Sequence, residues 1–415
     1  MAVGKQAIKI IHVSDIHFGS GEGHGRINPD TGLNVRFEDF VSALQKTVNY
    51  SLEQKADVFL FSGDAYKNAS PEPIYQKMFA EQLRRLSDAG IKIVLLVGNH
   101  DQIMRSNTSH SMSVFQSLAV PNLVTIDEPQ LITIDTAHGA FQLIGVPHVT
   151  RHILMTHEKY AALPGSEIEK TLGAHVRALV EDFCDELDPS VPSVLTAHMM
   201  VDRARAGGEQ ELMIGYSMTF PLDMLLHQRL DYVALGHVHK HQVLNQSKPA
   251  VVYAGSLERV DFGEQSEDKG FVEVDLLRGA TTFAFHSIQP RPFVTVDVDL
   301  TDAPDPTGSL CAALSKKLIA GSVMRLRYKI RQEQVALLDE HAVRELCADT
   351  LSVQFKPEIL TVQRDGRIPQ LNESSVNTPL AALETYLAQV APERKDQLLE
   401  KARDLCSRLD KESSS

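Results

Sequence analysis

Five polar clusters, each placed just after a strand-like apolar run, constrain this chain more than any other feature. IIHVSDIH closes on Asp15 and His17, DVFLFSGD on Asp64, and IKIVLLVGNHD on Asn99, His100 and Asp101. SVLTAH closes on His198, and LDYVALGHVH on His237 and His239. In open α/β sheets, ligands bind just outside the carboxyl ends of strands, where loops project groups of several types into one crevice. A lone GD or HxH carries little information. Five such clusters in register are different, because turn formation alone does not require His, Asn and Asp in these combinations. Asp15, His17, Asp64, Asn99, His198, His237 and His239 together offer carboxylate, amide-oxygen and imidazole donors. That mixed oxygen and nitrogen set suits manganese, iron or zinc better than calcium or a thiolate-selected metal.

A chain of 415 residues exceeds the size of about 250–300 residues at which a single core stops growing, so more than one domain is expected. Charged residues make up 23% and hydrophobic residues 43%, ordinary for a globular protein, and no apolar run reaches the roughly 18 residues of a membrane span. The N-terminus runs straight into a strand with no small-residue cleavage site, so no secretory signal is expected. Cys184, Cys311, Cys347 and Cys406 lie far apart with no CxxC pair, which suits a reducing, cytoplasmic setting and indicates neither a disulfide framework nor a thiolate site. The net charge of −13 argues against a whole-surface polyanion binder, while leaving room for a local one. Histidine is abundant, at 17 residues, and much of the excess sits in the clusters; His24, His110 and His341 read as composition only.

From residue 8 to about 285, β-branched runs alternate with helical periodicity, the pattern of a layered α/β fold. The spacing of Phe37, Phe40, Val41, Leu44 and Val48 predicts a helix over 36–54, and further helices are expected over 72–89, 108–119 and 166–186. Strands are expected over 140–147, 193–197, 231–236, 250–254 and 271–276. A break at HSIQPRP precedes a βαβαβ pattern: strand 293–299, helix 306–320, strand 322–330, helix 334–349 and strand 352–363. These runs define three expected segments, 1–288, 289–365 and 366–415. The last begins with a polar linker and ends in two amphipathic helices split by Pro392, too little to form a core of their own, whose apolar stripes need a partner on this chain or another.

Asp64 is the natural bridge between two ions, because it stands alone on its loop while other clusters bring pairs. Two divalent cations outweigh two aspartates, leaving positive charge for a phosphodiester anion. Metal binding lowers the pKa of a water from about 15.7 toward about 7, so a two-metal-activated hydroxide is the expected nucleophile. No GxSxG elbow is present to supply a covalent one.

The series DIH, GD, GNHD, a lone His after a strand, and GHVH resembles the calcineurin-like metallophosphoesterase superfamily over residues 8 to 285. The resemblance implies two central sheets flanked by helices. It also implies one ion held by Asp15, His17, Asp64 and His239, and a second held by Asp64, Asn99, His198 and His237. His100 would protonate the leaving oxygen or stabilise the transition state, with Asp101 orienting nearby groups. His12 and His241 match no ligand position. Protein phosphatases of the superfamily carry GDxxDRG; here the third residue after Asp64 is Lys67, which counts against that branch. In the double-strand-break nucleases a histidine often stands there, and lysine cannot copy its hydrogen bonding.

The segment VVYAGSLERVDFGEQSEDKGF (251–271) resembles the stretch after GHxH in the SbcD family of nuclease subunits, which also carries a small capping domain and a C-terminal helical segment. That resemblance implies a manganese-dependent duplex-end exonuclease and single-strand or hairpin endonuclease acting in DNA repair, recombination and replication. Its partners would be DNA and an SbcC-type ATPase, within a heterotetramer whose homodimer forms through the nuclease domain. Ile74, Met78, Leu83, Val114, Phe115 and Leu118 are the candidates for that contact. The alternative is a stand-alone binuclear phosphodiesterase or phosphatase for nucleotides and other small phosphoesters; an adaptor with a silent site is disfavoured, since every donor position is filled. Arg105, Arg151, Arg203, Arg205 and Lys240 lie near the motif loops and read as ordinary surface charges.

Overall fold

The computed structural model describes residues 6–102, 109–149, 165–205, 218–361, 379–390 and 392–412. The first sheet is built on β1 (Ile8–Val13), β2 (Val58–Phe61), β3 (Lys92–Leu96) and β4 (Leu123–Ile126), paired parallel to one another in that order. The second contains β5 (Gln130–Thr136), β6 (Gly139–Val146) and β7 (Ser193–His198). After a small pair, β8 (Met200–Val201) and β9 (Thr219–Phe220), it takes up β10 (Tyr232–Gly236), β11 (Gln242–Asn245) and β12 (Ala250–Tyr253). β13 (Gly270–Leu276) and β14 (Thr282–Ser287) then return to the first sheet. The orders are β14-β13-β1-β2-β3-β4 and β11-β12-β10-β7-β6-β5.

The central strands are buried along their whole length, which is why they read as continuous apolar runs rather than alternating ones. Ile10, Leu60, Val94, Leu143, Val194, Ala234 and Val272 pack between the two sheets. On the outer face of the first sheet lie α1 (Val35–Glu53) and α2 (Pro73–Asp88), through Phe37, Phe40, Leu44, Phe79 and Leu83. The Asn34 side chain accepts the Arg36 N–H at the start of α1, and Pro73 opens α2 where no intrahelical N–H bond is needed. α3 is short (Ser113–Ser117), and α4 (Gly165–Glu186) covers the second sheet through Leu172, Val176 and Val180. Two sheets face to face with helices outside form the expected layered α/β fold.

Contacts divide the chain into two units: residues 1–297, 311–327 and 340–356, and residues 298–310, 328–339 and 357–415. A third sheet has the order β15 (Phe293–Asp299), β16 (Val323–Arg331), β17 (Ser352–Leu360). Between its strands lie α5 (Pro306–Ser315) and α6 (Glu340–Leu346). Two elements of this part of the chain differ from expectation. α5 ends before residue 320, in a turn where Lys317 donates to the Leu314 carbonyl. The helix expected over 334–349 is split into a 3-10 turn, Gln332–Leu337, and α6; Gln334 donates to the Leu300 and Ala303 carbonyls, and the Asp339 N–H goes to Thr307 Oγ1 instead of continuing the helix. In the second unit α7 (Pro379–Val390) and α8 (Lys395–Glu412) pack on each other, burying Leu387 and Leu399. Most of the expected linker lies outside the described residues. No helix among those described is long and apolar enough to cross a membrane, and Cys184 and Cys347 are buried.

Candidate metal centre

Parallel pairing sets β1, β2 and β3 in register, and β7 and β10 likewise, so their carboxyl ends arrive together. The loops are then tied across. Asp15 N–H donates to the Gly63 carbonyl at 2.9 Å and His17 N–H to the Asp64 carbonyl at 3.1 Å. The two sheets meet where Ser62 Oγ and Thr196 Oγ1 lie 2.9 Å apart. Asp15, His17, Asp64 and His237 all have positive φ, at 53°, 52°, 62° and 97°. Non-glycine residues in that region are strained, and such strain persists where surrounding structure over-determines it. Two glycines of the motifs have a steric reason. A Cβ at Gly63 would stand 2.3 Å from His198 Nδ1, and one at Gly98 would stand 2.1 Å from Asp64 Oδ1.

The seven predicted donors are brought together. Asp15, His17 and His239 form one group of mutually close donor atoms, and Asp64, His198 and His237 another; Asp64 also groups with His17 and His100. Asp64 Oδ2 lies 3.5 Å from His17 Nε2 and 3.2 Å from His198 Nε2, so one carboxylate oxygen faces both sides. His239 Nε2 is 2.9 Å from His17 Nε2, and Asn99 Oδ1 is 2.9 Å from both His198 Nε2 and His237 Nδ1. The His237 N–H holds both oxygens of Asp15 at 3.1 Å.

The donor chemistry fits cations. His198 Nδ1 points at the Ser62 carbonyl at 2.8 Å, and a carbonyl only accepts, so the proton of the neutral ring sits there. Its Nε2 lone pair then faces Asp64 Oδ2 and Asn99 Oδ1, three acceptors around one point. In the free chain a second ring proton answers that charge: burial lowers His198, but Asp64 outweighs burial and lifts it to about 9. Asp64 correspondingly lies well below the usual carboxylate range, burial being overcome by His198. Elsewhere burial prevails, raising Asp15 and holding His17 and His237 well below the imidazole range. Two divalent ions match this set of oxygen and imidazole donors.

His100 is exposed at the mouth, its ring 4.8 Å from that of His17. Its N–H holds Asp64 Oδ1 at 2.9 Å, and its Nδ1 lies 2.8 Å from the Lys67 carbonyl. Lys67 thus meets His100 through its backbone, while its side chain is exposed. Asp101 is fully buried and accepts from Asp64 N, Ala65 N, Gly98 N and Ser111 Oγ at 2.9–3.2 Å, fastening the second and third motif loops together. Burial and Asp64 push its carboxyl up to about 6.

Two residues near the donors were not singled out in the sequence. His148, just beyond β6, has its ring 6.0 Å from that of His198 and 5.7 Å from that of His237. Its signal was a single polar residue after a strand. Glu264 lies 2.7 Å from His239 Nδ1, inside the segment 251–271 already noted. His12 and His241 are set back from the donors, paired with Tyr232 and the Tyr253 carbonyl. Arg203, Arg205 and Lys240 are exposed, and Arg105 and Arg151 lie outside the described residues. Of the candidates for a dimer contact, Leu83 and Phe115 are core residues, and Leu118 and Val114 are exposed.

The profile of calcineurin-like phosphoesterases matches residues 8–241, more than half the chain. The chain belongs to this family. Calcineurin-like phosphoesterases are metal-dependent phosphoester hydrolases, and the donors above occupy the matched span or its immediate loops. Among curated proteins, the chain is 24% identical over 305 residues to the uncharacterized metallophosphoesterase YhaO of Bacillus subtilis, covering 72% of this chain and 65% of that one. It is 25% identical to the DNA double-strand break repair protein Mre11 of Haloferax volcanii, covering 70% and 55%, and 25% identical to the SbcD subunit of the nuclease SbcCD of Bacillus subtilis, covering 66% and 67%. The first two matches span less than two thirds of those relatives' own lengths. A dimetal phosphatase from Danio rerio is similar over 68% of this chain and 96% of its own, with TM-score 0.42 and 10% identity, values at which no function transfers.

Proposed function

We propose that this chain is a two-metal DNA phosphodiesterase, the nuclease subunit of an SbcCD-type repair complex. The observation that carries the reading is the sharing of one carboxylate: Asp64 Oδ2 faces His17 on one side and His198 on the other. Asp15, His17, Asp64 and His239 would hold one ion, and Asp64, Asn99, His198 and His237 the second, manganese being the ion the resemblance implies. When bound, such a pair neutralises phosphoryl charge and supplies a water of lowered pKa. The chain's own residues do the rest. His237 N–H and His100 N–H fix the orientation of the two carboxylates, and Asp101 keeps the loops from separating. With Nδ1–H given to the Lys67 carbonyl, a protonated His100 presents its Nε2–H outward, where it donates to the leaving sugar oxygen.

DNA as substrate is supported by the repair-nuclease names among the relatives and by the 251–271 segment. On the same reading 1–288 is the nuclease module, 289–365 a cap and 366–415 the ATPase-binding segment of a cytoplasmic heterotetramer built on a homodimer. The test incubates the purified protein with manganese and a labelled hairpin duplex, with and without an SbcC-type ATPase. Wild type should nick or resect the hairpin, and His100→Ala should retain both ions but turn over about 10²–10⁴-fold more slowly. Cleavage of small phosphoesters alone would move the reading to the stand-alone phosphodiesterase. Equal activity of His100→Ala on DNA would remove the role given to that histidine.

A further inference from the structure

The segment after His239 supplies no proposed ion ligand, yet it carries buried charges, among them Glu264, Glu267 and Lys269, which are 1%, 7% and 0% exposed. Glu264 Oε1 stands 2.7 Å from His239 Nδ1. An ionised carboxylate only accepts, so Nδ1 of His239 carries the proton and its Nε2 carries the lone pair turned toward His17. The other oxygen of Glu264 takes the Val260 N–H at 2.9 Å and Lys269 Nζ at 3.0 Å. Lys269 gives its remaining donors to Glu267 Oε2 at 2.8 Å and to the His239 carbonyl at 3.0 Å. His239 is thereby held at both ends, its ring by Glu264 and its main chain by Lys269. Glu264 is thus the charge that stands directly behind the ring.

One histidine of the other donor group, His198, is backed by a neutral partner. His198 Nδ1 donates to the Ser62 carbonyl at 2.8 Å. A carboxylate behind an imidazole fixes its tautomer and raises the basicity of the ligating nitrogen, and such partners are worth about 10–100-fold in metal affinity. We infer that Glu264 is a positioning residue for His239, and that it makes the two ion positions unequal, the one built on Asp15, His17 and His239 being the tighter. This rests on the two-ion reading above.

The experiment is a calorimetric titration of manganese into the metal-free full chain. Wild type should give two phases. Glu264→Gln keeps the shape of the side chain but removes its charge; it should weaken the tighter phase about 10–100-fold and leave the other within about twofold. Glu267→Gln removes a charge of the same network that touches no histidine ring, and should leave both phases unchanged. His198→Asn should weaken the looser phase. Thermal melts of the metal-free variants check the fold; if Glu264→Gln fails to fold, the triple variant Glu264→Gln, Glu267→Gln, Lys269→Met, which removes all three charges together, takes its place. Two wild-type phases that Glu264→Gln leaves intact, or loss of only the looser phase, would overturn the inference. Absence of binding by wild type would instead overturn the two-ion reading itself.

Discussion

Charged side chains in the two-sheet region and in the three-stranded sheet beyond residue 292 are placed in opposite ways. Around the donors they are buried: Lys269, Glu264 and Asp64 have almost no accessible surface. On the third sheet, Arg327 pairs with Asp297 and Lys329 with Glu358, all four side chains at least half exposed. Exposed pairs cost little to form and are worth little, about 0–1 kcal/mol. Buried charges are costly, so an arrangement that keeps several together has another use for them. The difference marks where chemistry is concentrated.

The comparison is most exposed to failure at Asp64. Asp64→Asn removes the oxygen charge shared by both donor groups, and should abolish both ions' binding together with turnover, read by calorimetry and the hairpin assay. Retention of two tight phases would show that the buried charge is structural. Next in size is Lys269→Met, which leaves Glu264 and Glu267 without their cation in a buried setting; melting of the metal-free chain should show about 3–5 kcal/mol of lost stability. Asp231 sharpens the contrast by pH. Burial opposes its ionisation, but Arg278, two backbone N–H groups and Lys248 overcome it and hold the carboxyl below its usual value. A depressed folded-state pKa gives stability that is full above the unfolded value of about 3.9 and is lost as pH falls through the folded value. Acid unfolding of Asp231→Asn should therefore lack the part of the pH dependence that wild type shows below about pH 4. The smallest effect is expected at Arg327→Ala, a melting temperature indistinguishable from wild type, and a clear drop would break the claim that the third sheet's pairs are idle.

Much of the centre was readable in the sequence, because each donor follows a strand buried on both faces and such strands announce themselves as unbroken apolar runs. Gly63 and Gly98 added to the signal, since their neighbours leave no room for a Cβ. What was not readable arrives by tertiary folding. Glu264 stands 25 residues after His239 and reaches it only because the chain turns back through Phe262–Glu264 before β13. His148 is a single residue with no motif around it. β4, β5, β8, β9, β11 and β14 were not predicted; β14 mixes half-buried and exposed positions, and β11 is half-buried throughout, as flanking strands do. The expected helix over 108–119 is realised within the described residues only as Ser113–Ser117.

Lys67 offers a practical use. Because its carbonyl engages His100 while its side chain faces solvent, the position is an attachment point for a reporter. Cys184 and Cys347 are buried and Cys311 and Cys406 only partly accessible, so a cysteine introduced at 67 would be the thiol most open to labelling. A dye there sits at the rim of the centre, close to the proposed proton donor. Its emission would follow a ligand reaching the centre in real time, before any bond is cut.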